Sequence, residues 1–198
     1  AITTAMGVKK PDGLAGIHLN FPFVLPDPFP DQLSAAEREM MAGVARYQKD
    51  QAGYSSQQMT RPQTLGYLLS DSPVGQAAWI YEKFYEWSDC MGDPLSAFAI
   101  DDLLDNIMMY WLPNSGASSS RIYWESFSDV FGARKVDIPV GISIFPREIY
   151  KAPRSWVERC MSKLIYWNEL DRGGHFPAFE QPALFVNEVR LAFRSLRA

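Results

Sequence analysis

Cysteine and histidine are scarce in these 198 residues, two of each. Cys90 and Cys160 stand alone, with no C-x-x-C pair and no Cys/His spacing, so neither a structural zinc site nor a disulfide framework is expected. Basic residues are in the minority too: 19 Lys and Arg against 23 Asp and Glu give a net charge of −4 and a pI near 5.2. That balance offers no surface for nucleic acid, and no Lys/Arg block is present to hold an anionic membrane. No apolar run approaches the ~18 residues of a membrane span, none reads as a signal peptide, and no stretch repeats. The chain opens on Ala1 rather than Met, as a processed chain or a part of a longer one would. A cytoplasmic protein is the expectation. What is abundant is apolar side chain, 47% of the residues, which excludes disorder and suffices for a domain with a sizeable core.

Residues 1–10 predict a short helix stopped by Pro11. After a Pro-Asp-Gly turn, LAGIHLNF reads as a short buried strand. PFVLPDPFPDQ holds four prolines and makes a rigid exit segment. Ser34, with Glu37 three residues on, forms a capping box that opens a helix running to about Asp50. Residues 55–128 read as helical throughout. Thr60 before Arg61-Pro62 and Ser72 before Pro73 are start signals with proline in the first turn. The helix after Ser72 carries Trp79, Phe84 and Trp87. DPLSAFAIDDLLDNIMMYWL gives another helix, ended by Pro113-Asn114, and SGASSSRIYWESFSDVF a last one. From Lys135 the period changes: Val136, Ile138, Val140, Ile142 and Ile144 alternate onto one face of a strand. RSWVERCMSKL reads as helical and IYWNEL as a second strand. Pro182 opens a closing helix with Phe185, Val189, Phe193 and Leu196 on one side. This order predicts an α/β fold: a parallel sheet interrupted by a helical insertion. The expected division is 1–25 for a core helix and strand, 26–133 for a helical cap, and 134–198 for the rest of the core.

In open parallel sheets, function gathers in loops at the carboxyl ends of strands. FPREIY follows the alternating strand and offers Glu148; DRGGHFPAFEQP follows the last strand and offers His175. The two lie 27 residues apart, one strand–helix–strand excursion, so adjacent parallel strands would bring the loop tips together. A carboxylate there would hold the imidazole's tautomer and stabilise its cation, leaving the other nitrogen to take a proton. Taken singly, His175 would be a surface or capping ring and Glu148 a solvated carboxylate. Their matched positions, and the backbone freedom of Gly173-Gly174, leave that reading and the base reading equally open. His18, inside GIHLN, reads as a structural histidine. Upstream of Glu148 there is no G-x-S-x-G elbow and no Gly-flanked Asp or Cys in a strand–turn–helix setting. Cys90, in SDCMGD between two helices, is a poor nucleophile candidate.

At DRGGHFPAFEQP the sequence resembles the epoxide hydrolases of the α/β-hydrolase superfamily, in their microsomal-type branch. GIHLNFPF is similar to the strand before that family's cap, TRPQTLGYLLSDSPVGQAAWIYEKFYEW to a cap signature, and IPVGISIFPREI and GGHFPAFEQP to its closing motifs. Together they span nearly the whole chain in order. The resemblance implies a partial α/β-hydrolase fold, the C-terminal half of its parallel sheet with a helical cap. It also implies a two-step chemistry. An aspartate on the elbow opens an epoxide to give an ester, while two cap tyrosines hydrogen-bond the epoxide oxygen. A His–carboxylate pair then activates water to release a vicinal diol. On this resemblance His175 is the general base, Glu148 the orienting acid, and Tyr54 and Tyr123 the phenols. No metal or organic cofactor is implied, and the substrate is a small apolar epoxide.

The departure from the family is that AITTAMGVKKP resembles the helix just past the elbow. The nucleophile is therefore expected outside this chain, in the N-terminal half of the same enzyme as part of the same gene product or as another chain. Alone, the chain should be inactive. The alternatives are a truncated, non-catalytic chain that binds apolar ligands or pairs with another chain, including a homodimer formed by swapping, and a part of a different α/β-hydrolase such as an esterase or dehalogenase. An incomplete sheet would also leave an edge open to pairing.

Overall fold

The computed structural model describes residues 1–130 and 134–197; the expected cap boundary at residue 133 lies outside the described residues. In chain order the elements are α1 (Ile2–Lys9), β1 (Ile17–Leu19), α2 (Ala35–Asp50), α3 (Gly53–Thr60), α4 (Pro62–Asp71), α5 (Pro73–Trp87), α6 (Ile100–Trp111), α7 (Gly116–Val130), β2 (Val136–Ile144), α8 (Arg154–Cys160), β3 (Met161–Glu169), α9 (Pro177–Glu180) and α10 (Pro182–Ala192). Packing divides the chain into two compact units: Ala1–Ala45 with Val130–Ala198, and Arg46–Asp129. Among the described residues, no helix is long and apolar enough to cross a membrane.

The first unit is built on a parallel sheet in the order β1-β2-β3. The alternating residues of β2 are all buried, Val140 and Ile142 completely. Each such side chain withdrawn from water contributes about 1.5–3 kcal/mol before entropy is counted. Their cluster takes in Ile17 and Leu19 of β1, Met40 of α2, and Trp156 and Val157 of α8. The opposite face of β2 is buried as well at Gly141 and Ser143. There α10 lies so close that a Cβ on Gly141 would come within 2.6 Å of the Ala192 Cβ. A strand covered on both faces is the central strand of a parallel sheet. The capping box at Ser34 is formed: Glu37 N–H donates to Ser34 Oγ at 3.3 Å, and Ser34 N–H to Glu37 Oε2 at 2.8 Å. Glu37 Oε1 also accepts from Ser155 Oγ of α8 at 2.8 Å, so one carboxylate caps α2 and ties it to α8.

Three elements differ from the sequence expectation. β3 starts at Met161, four residues before IYWNEL. MSKL is drawn from the helix into the strand by pairing with β2, where Val136 faces Met161 and Pro139 faces Lys163. Residues 88–99 are not α-helical. Met91 and Gly92 turn through positive φ, Asp93 Oδ1 caps a short 3₁₀ turn at Pro94–Ser96, and buried Phe98 packs edge-on against Phe84 at 5.2 Å. The closing helix ends at Ala192, and its buried residues are Glu188 and Ala192 rather than the apolar stripe.

Glu188 is 2% exposed and accepts from three side chains of the sheet. Ser143 Oγ donates to it at 2.8 Å, Tyr166 Oη at 3.0 Å, and Asn168 Nδ2 at 3.1 Å. With the Ser143 proton directed there, Ser143 Oγ is left to accept from His18 Nε2 at 2.9 Å. The network thus joins β1, β2, β3 and α10. Burial pushes the Tyr166 phenol up to about 12, helped by Glu188. Burial also holds His18 down from the usual 6.5 to about 4, although Glu188 pulls the other way. A ring whose folded pKa is depressed contributes full stability above pH 6.5 and loses it as pH falls toward 4, because only the unfolded chain takes up the proton in that window. Between pH 7 and pH 5 the folded protein should therefore lose up to about 2 kcal/mol more than a His18→Gln variant, at about 1.4 kcal/mol per pH unit. Denaturant unfolding of both proteins at the two pH values measures it, and equal losses would contradict it.

Candidate active site

The carboxyl ends of β2 and β3 stay joined beyond the strands. Leu170 N–H donates to Ile144 O at 2.9 Å, Arg147 N–H to Gly173 O at 3.1 Å, and Arg147 forms a parallel bridge with Gly174. Phe145, fully buried, anchors the first loop. Gly173 crosses it with φ +100, and a Cβ there would sit 2.7 Å from the Phe145 ring. Both the dihedral and the contact demand glycine. The two loop tips therefore run side by side, and Glu148 and His175 meet.

His175 Nδ1 lies 2.6 Å from Glu148 Oε1. The same oxygen accepts from Ile149 N–H at 2.8 Å, so the carboxylate is fixed by backbone as well as by the ring. Glu148 is the deeper partner: its side chain is 2% exposed, against 23% for His175. Phe21, in the loop after β1, meets the imidazole edge-on at 5.1 Å, and Phe176 does so at the same distance. With Nδ1–H donated to a carboxylate, the lone pair resides on Nε2. The buried negative charge then stabilises the cation that forms when Nε2 takes a proton. The arrangement can orient an imidazole base.

The second unit brings the other two candidates together. The rings of Tyr54, on α3, and Tyr123, on α7, meet edge-to-face at 5.8 Å, and their hydroxyls are hydrogen-bonded. Tyr47 Oη donates to Tyr54 Oη at 3.1 Å. Burial, with Tyr123 and Tyr47 adding to it, drives the Tyr54 phenol far above its ordinary range. Burial raises Tyr123 too, against a hydrogen bond from Tyr54 that lowers it. Both phenols are therefore neutral at physiological pH and able to donate. Trp87 packs against the Tyr54 ring at 5.3 Å, and the Lys83 ammonium lies 4.5 Å from that ring's centroid, a cation–π contact.

The structure thus pairs His175 with Glu148 and Tyr54 with Tyr123, each pair within its own unit. His18 belongs to the Glu188 network instead. Cys90 is buried between α5 and the 3₁₀ turn, its Sγ 3.5 Å from Tyr85 O. Sequence reading passed over Tyr47, Lys83 and Glu180. Tyr47 and Lys83 stand seven residues before and 29 after Tyr54, and only the folding of α2 and α5 beside α3 places them there.

No family model matches the chain. A protein of Stigmatella aurantiaca (strain DW4/3-1) named "Putative epoxide hydrolase" is 57% identical over 198 residues, all of this chain and 45% of that protein. "Epoxide hydrolase 1" of Oryctolagus cuniculus is 34% identical over 217 aligned residues, 95% of this chain and 47% of the relative. Among solved structures, the Aspergillus niger epoxide hydrolase superposes with a TM-score of 0.81 at 29% identity, covering 98% of this chain and 49% of its own. The chain spans about half the length of the curated relatives it matches.

Proposed function

Because this chain belongs to the epoxide hydrolases of the α/β-hydrolase type over the half of their length that it matches, we propose that it supplies the base, the orienting acid and the proton donors of a two-step epoxide opening. The observation that carries the reading is the 2.6 Å contact between His175 and Glu148 at the ends of neighbouring parallel strands.

In the first step a carboxylate nucleophile, contributed from outside these 198 residues, attacks an epoxide carbon. The C–O bond of the ring breaks as the ester C–O bond forms, and the departing oxygen would be an alkoxide in the absence of a donor. Tyr54 and Tyr123 are the proposed donors. Their burial keeps them protonated, and one of them passes its proton to the oxygen. In the second step His175 Nε2 takes a proton from water, which attacks the ester carbonyl. The tetrahedral intermediate collapses with cleavage of its acyl C–O bond, releasing the vicinal diol and the free carboxylate, and the proton held on His175 returns through solvent to the phenolate left by the first step. Glu148 holds the imidazole in the tautomer that this step requires and stabilises its cation. The proposed substrate is a small apolar epoxide.

A single turnover in ¹⁸O-water tests the order of steps. With the complete protein in excess over a small aryl-substituted epoxide, the first diol should carry no ¹⁸O, and the label should enter the nucleophilic carboxylate. A diol labelled in the first turnover would mean direct attack by water and would end the ester mechanism for this protein.

A further inference from the structure

We propose that Glu180 is a positioning residue for His175, a clamp that fixes the backbone on both sides of the base. It stands at the end of the four-residue helix α9 and is 7% exposed. Its carboxylate reaches back over the preceding loop. Oε2 accepts from Gly174 N–H at 2.9 Å, and Oε1 accepts from Phe176 N–H at 2.8 Å. The residue between those two amides is His175. One planar, buried group therefore sets the orientation of the two peptides that flank the base, through charge-assisted bonds of good length.

A plainer role would be the capping of α9. Phe176 is its N-cap residue, and the bond to Phe176 N–H, with Glu180 N–H returned to Phe176 O at 2.8 Å, resembles a capping box. The Gly174 bond does not belong to that role. It lies upstream of His175, outside α9, and satisfies an amide the helix does not own. The rest of the loop is held as well: Gly173 O accepts from Arg147 N–H, and Gly173 packs its bare Cα side on Phe145. Gly173 thus registers the loop to Glu148's own segment, and Glu180 registers the two peptides around His175. Between them the direction of the His175 Cα–Cβ bond is determined. A catalytic ring must be held within about 0.5 Å of its working place, and the 2.6 Å bond to Glu148 leaves little room for a rotated peptide.

The proposal rests on the reading of His175 as the base, and the test separates the two. In the complete protein, Glu180→Gln keeps size and shape but replaces one acceptor oxygen by an NH₂ that faces an N–H. The downfield ¹H resonance of the His175 Nδ1 proton, assigned by its disappearance in His175→Gln, should be present in the parent protein and lost or shifted upfield in Glu180→Gln. Ester hydrolysis, measured in single turnover, should fall by about 10- to 100-fold while ester formation stays unchanged. If Glu180→Gln does not fold, Glu180→Asp takes its place: it retains the charge but is too short to reach both amides, and the same two losses are expected. A variant that keeps the downfield resonance and hydrolyses the ester within twofold of the parent overturns the clamp. If His175→Gln itself hydrolyses the ester normally, the base assignment fails instead.

Discussion

His175→Gln, made in a complete protein that carries this chain, is expected to halt turnover at the covalent ester. The hydrolysis step should slow by about 10²- to 10⁴-fold, the range for loss of a general base, while ester formation keeps its rate. The asymmetry follows from the division of labour. On the proposed mechanism, with His175 Nδ1 committed to Glu148 at 2.6 Å, the ring acts through Nε2, and only the second step has a proton for Nε2 to take. Glutamine suits the comparison because it fills similar space but carries no nitrogen lone pair to take a proton, and Glu148 Oε1 keeps Ile149 N–H as a partner. Mass spectrometry of the protein after one equivalent of epoxide should show the adduct accumulating in the variant and not in the parent. Turnover within tenfold of the parent, with no adduct, would remove His175 from the mechanism.

The pairing behind this prediction was legible in the sequence because it depends on topology. A separation of 27 residues, with a helix and a strand between, places two loops at one edge whenever the two strands pair in parallel. The alternation of β2 and the Ser34–Glu37 capping box are local patterns and were equally legible. What periodicity could not show were the partners of buried polar groups. The closing helix reads as an apolar stripe through Phe185, Val189 and Phe193, yet its most deeply buried large side chain is Glu188. A carboxylate is stable there only because Ser143, Tyr166 and Asn168, 20 to 45 residues away, turn their donors toward it. The start of β3 was hidden for a related reason: MSKL continues a helical pattern, and strand pairing with β2 overrides it. Glu180 was in plain sight in GGHFPAFEQP, but its function lies in two backbone amides, which have no signature in side-chain spacing.

Tyr54→Phe combined with Tyr123→Phe should produce the opposite kinetic picture. Ester formation is expected to fall by about 10³-fold or more, since removal of one donor to a developing oxyanion costs about 10²- to 10³-fold and two donors on one oxygen do not act additively. Hydrolysis of any ester that does form should be unaffected. The two single variants should each retain part of the rate, because the remaining phenol still donates. The geometry supports the choice of phenols over other groups. The hydroxyls bond to each other. Tyr47 donates to Tyr54, so the Tyr54 hydrogen points away from Tyr47, toward Tyr123 and, in the proposed first step, toward the substrate oxygen. Burial raises both phenols, so neither is ionised near neutrality and rate loss in the variants should be the same at pH 6 and pH 8. Stopped-flow measurement of ester formation across that range decides the matter. An alkylation rate unchanged in the double variant would take the tyrosines out of the first step, and a loss that vanishes at low pH would mean that solvent acid, not a phenol, protonates the epoxide oxygen.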